Sequence, residues 1–301
     1  MTGTGPDARG AIPGAAPGRG SLVWRYAGDW RGGLGSRAIL LLQVAHPVVG
    51  AGVADHSDFL EDRWGRLLRT MESTFDFLGY RGEERGRLEA ARLREIHKDI
   101  KGVDAQGRRY HALNPEAYLW VHATLLHGMV HTQRLFGTPI PPGRERALYD
   151  EWVELALALG ITERHIPADP AAFRDYFDTM VEERLEDNAT VRLLIGLDRE
   201  PLPPPPRWPL PRLAWTGAMA PPAAVLRRIG IGFLPPVLRE RFGLPWTAAD
   251  EHGFRLFSRA MRTADGALVD PLRLTPIAAR ALWRARRERR AAPQEVPART
   301  V

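Results

Sequence analysis

The chain has 301 residues, 44% of them apolar and 26% charged, and it contains no cysteine. That length and apolar content can bury roughly three quarters of the unfolded surface, which excludes a disordered or disulfide-stapled protein. Without cysteine there are no thiolate metal sites, iron–sulfur clusters or cysteine nucleophiles, so a metal must be held by His, Asp or Glu or arrive inside a cofactor. The 42 basic residues exceed the 36 acidic ones, but the excess is arginine dispersed over the whole length, which argues for solubility and against a nucleic-acid partner.

In chain order, residues 1–21 are rich in Gly, Pro and Ala with no apolar run, and read as a disordered tail without a secretion signal. The Gly cluster GDWRGGLGS at 28–36 lacks a P-loop lysine and follows no strand, so a flexible entry into the first helix is expected. That helix is expected to be capped by Ser36, to run through the apolar stretch from Ala38, and to break at Pro47, which has no backbone N–H. The stretch ends at Ala54, short of the roughly 20 residues of a membrane span, and contains Gln43, His46 and Pro47.

A second helix over 59–79 carries Leu60, Trp64, Leu67, Leu68, Met71, Phe75 and Leu78 at helical spacing, predicting a core-facing stripe. Helices follow at 83–101, from Asn114-Pro115 to Phe136, at 143–159, and at 170–187 with Asp169 as cap and Pro170 in the first turn. No period-2 alternation precedes residue 190, so the class is all-α. Residues 201–211, PLPPPPRWPLP, form an extended connector. Short helices are expected at 222–230, 235–242, 248–263 and 275–290. The expected organisation is a tail over 1–21, a main helical domain over 22–245 and a basic C-terminal helical extension over 246–301.

Histidines fall on the apolar stripes. Leu93, Ile96, His97 and Ile100 share one helical face, and His122 lies in the seam of Leu119, Leu126, Met129 and Phe136. Both are expected to be buried. A neutral imidazole among hydrocarbon is what an axial haem ligand requires, whereas a core histidine bonded to a backbone carbonyl is the plainer reading of the same spacing. His127 and His131 stand four apart, and with His122 and a carboxylate such as Asp55 or Glu72 they define an alternative, a metal hydrolase. The run RALWRARRERR at 280–290, anchored by Leu282 and Trp283, reads as a solvated helix with weak contact to a membrane surface as its functional alternative.

Five segments carry a resemblance: LLLQVAHPVVGAGVADHSDF (41–59 and the residue before it), GRLLRTMESTFDFLG (65–79), REIHKDIKG (94–102), YHALNPEAYLWVHATL (110–125) and YDEWVELALALGI (149–161). In this order they resemble the MpaB-like oxygenase family, to which the rubber oxygenases belong. The resemblance implies a globin-like, all-α domain that binds haem b, with His97 as the ligand of its iron and His122 as the other candidate. The family pattern Arg-x-x-Lys-Thr reads here Arg66-Leu67-Leu68-Arg69-Thr70, so arginine replaces the lysine, and a guanidinium is a poor iron ligand. Arg66 and Thr70 are then the expected donors beside bound dioxygen, and Arg69 completes the candidate set. The implied protein is a cytoplasmic or peripherally membrane-bound oxygenase of an apolar, isoprenoid-like or alkene substrate. A non-catalytic haem- or lipid-binding protein is the alternative.

Overall fold

The computed structural model describes residues 21–58, 61–197, 202–206, 209 and 211–291. The expected tail, apart from Ser21, and positions 59–60 of the second expected helix lie outside the described residues, as does most of 207–210.

The chain enters through α1 (Leu22–Ala27) and α2 (Gly32–Ala45), with the Gly cluster between and within them. Two of these glycines, Gly28 and Gly35, make close packing, while Gly32 and Gly33 have open space around them. A Cβ on Gly28 would lie 2.4 Å from Ala278, and one on Gly35 would lie 2.6 Å from the Phe233 ring. Ser36 is inside α2, where its hydroxyl donates to the Gly33 carbonyl, so the helix starts a turn earlier than its cap signal suggests. The break at Pro47 is present: His46 is extended, Pro47 takes the first position of α3 (Pro47–His56), and the two helices differ in direction by 100°. Among the described residues no single helix is long and apolar enough to cross a membrane.

α4 (Arg63–Phe77) and α5 (Glu83–His97) form an antiparallel pair. Their connection needs positive φ at Gly79 (75°) and Gly82 (126°), a region that disfavours side chains with a Cβ. Two three-residue strands follow, β1 (Lys101–Val103) and β2 (Arg109–His111), with Gly102 opposite Tyr110. They are too short to show alternation, which is why the sequence pattern passed over them.

Asn114 caps α6 (Pro115–Phe136) by accepting from the backbone N–H groups of Glu116 and Ala117. α6 and α2 pack against each other at the centre. Around them stand α7 (Pro142–Ala158), α8 (Pro170–Thr179), which widens into a π turn over Met180–Arg184, and α9 (Ala189–Leu197). Trp120, Trp152, Tyr149, Phe136 and Phe233 are the bulky centre of the core.

The connector leads into α10 (Arg212–Phe233), far longer than the expected 222–230 because Pro221 and Pro222 sit inside it. The two missing N–H groups leave the carbonyls of Gly217 and Ala218 without helical partners, in a stretch that is exposed to solvent. α11 (Pro236–Arg241), α12 (Ala248–Ala267), α13 (Asp270–Arg273) and α14 (Pro276–Ala291) complete the chain. α12 packs on α6 and α10, and α14 packs on α1, so the C-terminal segment closes back onto the first helices. The fold is all-α apart from the small hairpin.

Candidate functional site

α5 ends at His97, and its pairing with α4 brings this imidazole within electrostatic reach of Arg66. The Nδ1 of His97 lies 2.5 Å from the carbonyl oxygen of Leu93, one turn earlier. A carbonyl can only accept, so Nδ1 carries the proton and Nε2 keeps its lone pair. Burial lowers the pKa of His97; the bond to Leu93 opposes the shift, and the positive charges of Arg66 and Arg92 reinforce it. The ring is therefore neutral near pH 7.

The edge of Tyr118, on the first turn of α6, meets the His97 ring with centroids 5.5 Å apart. Its buried hydroxyl has no hydrogen-bond partner among the described residues, and burial pushes its pKa up to about 12. Sequence reasoning missed this residue, although Tyr118 lies four before His122 and shares its helix face. Arg66 donates from Nη1 to Thr70 Oγ1 at 2.9 Å, and its Nε lies 3.5 Å from Ser57 Oγ at the end of α3. The Thr70 hydroxyl donates in turn to the Arg66 carbonyl at 2.8 Å, so its lone pairs are what hold the guanidinium.

Arg69 does not join this group. It is half exposed and pairs with Asp58 and Asp62 at the start of α4. The expected core stripe of α4 also behaves differently. Leu67, Leu68 and Met71 are exposed, as is Ile96 on α5, because among the described residues α4 packs chiefly on α5. Next to Arg66 and Thr70, hydrocarbon is thus open to solvent.

His122 is placed otherwise. Its Nε2 donates to the Trp152 carbonyl at 3.0 Å, the Trp152 indole N–H donates back to the His122 carbonyl at 3.1 Å, and the rings stack at 4.7 Å. This reciprocal latch joins α6 to α7 in the fully buried core, and burial lowers the pKa of His122 to about 4. His127 stacks on Phe177 at 3.9 Å, and His131 meets Phe233 edge-on at 4.5 Å. Both line, with Tyr149 and Phe173, a cavity of about 190 Å³ between α6, α7 and α8. Asp55 accepts from the Tyr110 hydroxyl. His127 and His131 stack on each other at 5.0 Å, while His122 is turned to Trp152, and among the described residues no three His, Asp or Glu side chains converge as a metal site.

On α14, Arg284 donates to the Tyr80 carbonyl at 2.7 Å and Arg287 lies over the Trp283 ring. Arg280, Arg284, Trp283, Ile277 and Arg81 line an open cleft of about 450 Å³. The side chains of residues 288–290, the end of the basic run, lie outside the described residues.

Residues 24–263 match the family described as ER-bound oxygenase mpaB/B'/Rubber oxygenase, catalytic domain, and the chain belongs to this oxygenase family. Two similar proteins are the uncharacterized Rv2237 of Mycobacterium tuberculosis and the uncharacterized Mb2261 of Mycobacterium bovis. Each is 25% identical over 240 residues, covering 76% of this chain and 86% of the relative. No solved structure matches.

Proposed function

We propose that the chain is a haem b-dependent oxygenase of an apolar, alkene or isoprenoid-like substrate, with His97 as the iron ligand. The observation that carries this reading is the tautomer of His97: Nδ1 is tied to Leu93, which fixes the ring and leaves Nε2 free to donate. Three further features suit a flat, largely apolar group with acidic edges. They are the exposed hydrocarbon of Leu67, Leu68, Met71 and Ile96, the partnerless Tyr118 hydroxyl beside the imidazole, and the nearby guanidinium of Arg66. His122 also keeps an unpartnered nitrogen, Nδ1, but that atom is enclosed in the core, with Trp152 stacked on the ring and holding Nε2.

Haem b, when bound, supplies the capacity to bind and activate dioxygen. The chain's own part would be to hold the group through the neutral imidazole of His97 and to offer the Arg66 donors to dioxygen or to a carboxylate. Thr70 acts as a positioning residue, because it holds Arg66 by accepting from Nη1. Arg69, drawn to Asp58 and Asp62, would take no part in holding the group.

The test supplies hemin, a reductant and a panel of apolar alkenes to the purified protein, and follows incorporation of labelled dioxygen into carbonyl products. The expected result is labelled product from the wild type and, per bound haem, about 100-fold less from Arg66→Ala. Haem-loaded protein that forms no oxygen-dependent product from any alkene overturns the reading.

A further inference from the structure

The first two thirds of α10 stands out from the body with almost no charge. Leu213 to Leu226 reads LAWTGAMAPPAAVL, with Thr216 its only polar side chain. Leu213 is 86% exposed, Val225 55% and Leu226 48%. Trp215, Met219 and Ala223, at four-residue intervals, are half-buried on the side facing the body, and Ala214, Ala218 and Ala220 to Pro222 are exposed with the leucines and Val225. Fourteen residues of helix span about 21 Å. Only beyond Arg228 do Ile229, Ile231 and Phe233 enter the core.

Charge identifies the partner. From Pro201 to Arg239 there are five arginines, at 207, 212, 227, 228 and 239, and no Asp or Glu; Arg228 pairs with Asp250 and Arg239 with Glu251 on α12, so Arg212 and Arg227 are the charges that flank the helix. An uncharged apolar helix bracketed by arginine at both ends matches an anionic bilayer interface, with hydrocarbon below and phosphate at the rim. A second copy of this chain would bring like charge against like at the same surface. The segment is anchored beside the candidate site: the Trp215 indole donates to the Leu202 carbonyl at 2.7 Å, and the Trp64 indole, at the start of α4, donates to the Pro203 carbonyl at 2.8 Å. The connector thus ties the root of α10 to the helix that carries Arg66 and Thr70.

We propose that residues 213–226 of α10 insert in the interface of an anionic membrane, so that an apolar substrate passes from the bilayer to the α4 face without crossing water. The second clause rests on the proposed oxygenase function, and the first does not. This surface differs from the basic run at 280–290.

Vesicle flotation of the full chain tests it, using phosphatidylcholine vesicles with and without phosphatidylglycerol. The wild type floats with the anionic vesicles and more weakly at high salt. The triple variant Leu213→Glu, Val225→Glu and Leu226→Glu binds about tenfold less or worse, since three buried aliphatic contacts are replaced by charge. These side chains are exposed, so its melting is expected to match the wild type; the single Leu213→Asp gives a smaller loss in the same direction. His97→Ala floats as the wild type does, which keeps this result separate from haem binding. Absence of wild-type flotation, equal flotation of the triple variant, or loss of flotation on Arg280→Ala with Arg284→Ala instead, overturns the proposal. So does a wild-type dimer that the triple variant dissolves without any vesicle binding.

Discussion

At the scale of single residues, the four-residue arithmetic of helices overstated the burial of His97. Leu93 and His97 are half-buried, and Ile96 and the leucines of α4 face outward, because periodicity identifies a face without saying what covers it. His122 shared the same signal and is a latch to Trp152, a partner 30 residues away that no local pattern announces. Two predictions belong here. Thr70→Val removes the acceptor that holds Arg66 but leaves the guanidinium, so turnover with hemin and substrate should fall less than in Arg66→Ala; an equal or larger loss contradicts the positioning role. The second concerns pH. His122 and His131, both with pKa near 4 when folded, titrate near 6.5 in an unfolded chain. Between those values the unfolded state binds more protons, so stability is full above about pH 6.5 and declines toward pH 4. In denaturant titrations across this window His122→Gln, which keeps a donor for Trp152 but does not titrate, should flatten the slope by up to about 1.4 kcal/mol per pH unit. An unchanged slope places the proton uptake elsewhere.

At the scale of elements, the start and stop signals that work through one residue were readable. Asn114 and Asp169 cap α6 and α8 as expected, and Pro47 divides α2 from α3. What depended on tertiary contact was not readable. Ser36 lies within a helix that begins among glycines, and Pro221-Pro222 lie within one that is exposed to solvent there. The glycines give a paired test. At Gly35 an added Cβ meets the buried Phe233 ring at 2.6 Å, while at Gly33 nothing lies within 4 Å. Gly35→Ala should therefore cost about 1–3 kcal/mol by forcing the core apart, whereas Gly33→Ala should stabilise α2 by about 0.4–1 kcal/mol. Chemical denaturation of the two variants reads both signs, and a neutral Gly35→Ala contradicts the packing described.

At the scale of the molecule, the C-terminal helices are closed onto the first by buried charge. Arg31, 1% exposed, binds Asp29 at 2.5 Å and Asp265 of α12 at 2.7 Å, and donates to the Phe136 carbonyl at 2.8 Å. Gln133 donates to Asp29, and Arg273 pairs with Asp265 at 2.9 Å. The sequence shows these residues only as members of a Gly-rich turn and a distant helix, so nothing local relates position 31 to 265. Beyond residue 245, α12 lies on α6 and α10. Asp265→Ala leaves two arginines facing an empty position and should lower the unfolding free energy by about 3–5 kcal/mol; a melt within a degree or two of the wild type contradicts a sealing role. The helical class and the oxygenase family were legible because they rest on order and spacing over the whole chain.

The account stands on the imidazole at the end of α5. Titration of hemin into wild type, His97→Ala and His122→Gln, followed by visible absorption, addresses it directly. The prediction is a saturable Soret band in the wild type and in His122→Gln, lost in His97→Ala and restored there by added imidazole. A wild type that takes up no hemin, or a His97→Ala protein that binds it unchanged, contradicts the account.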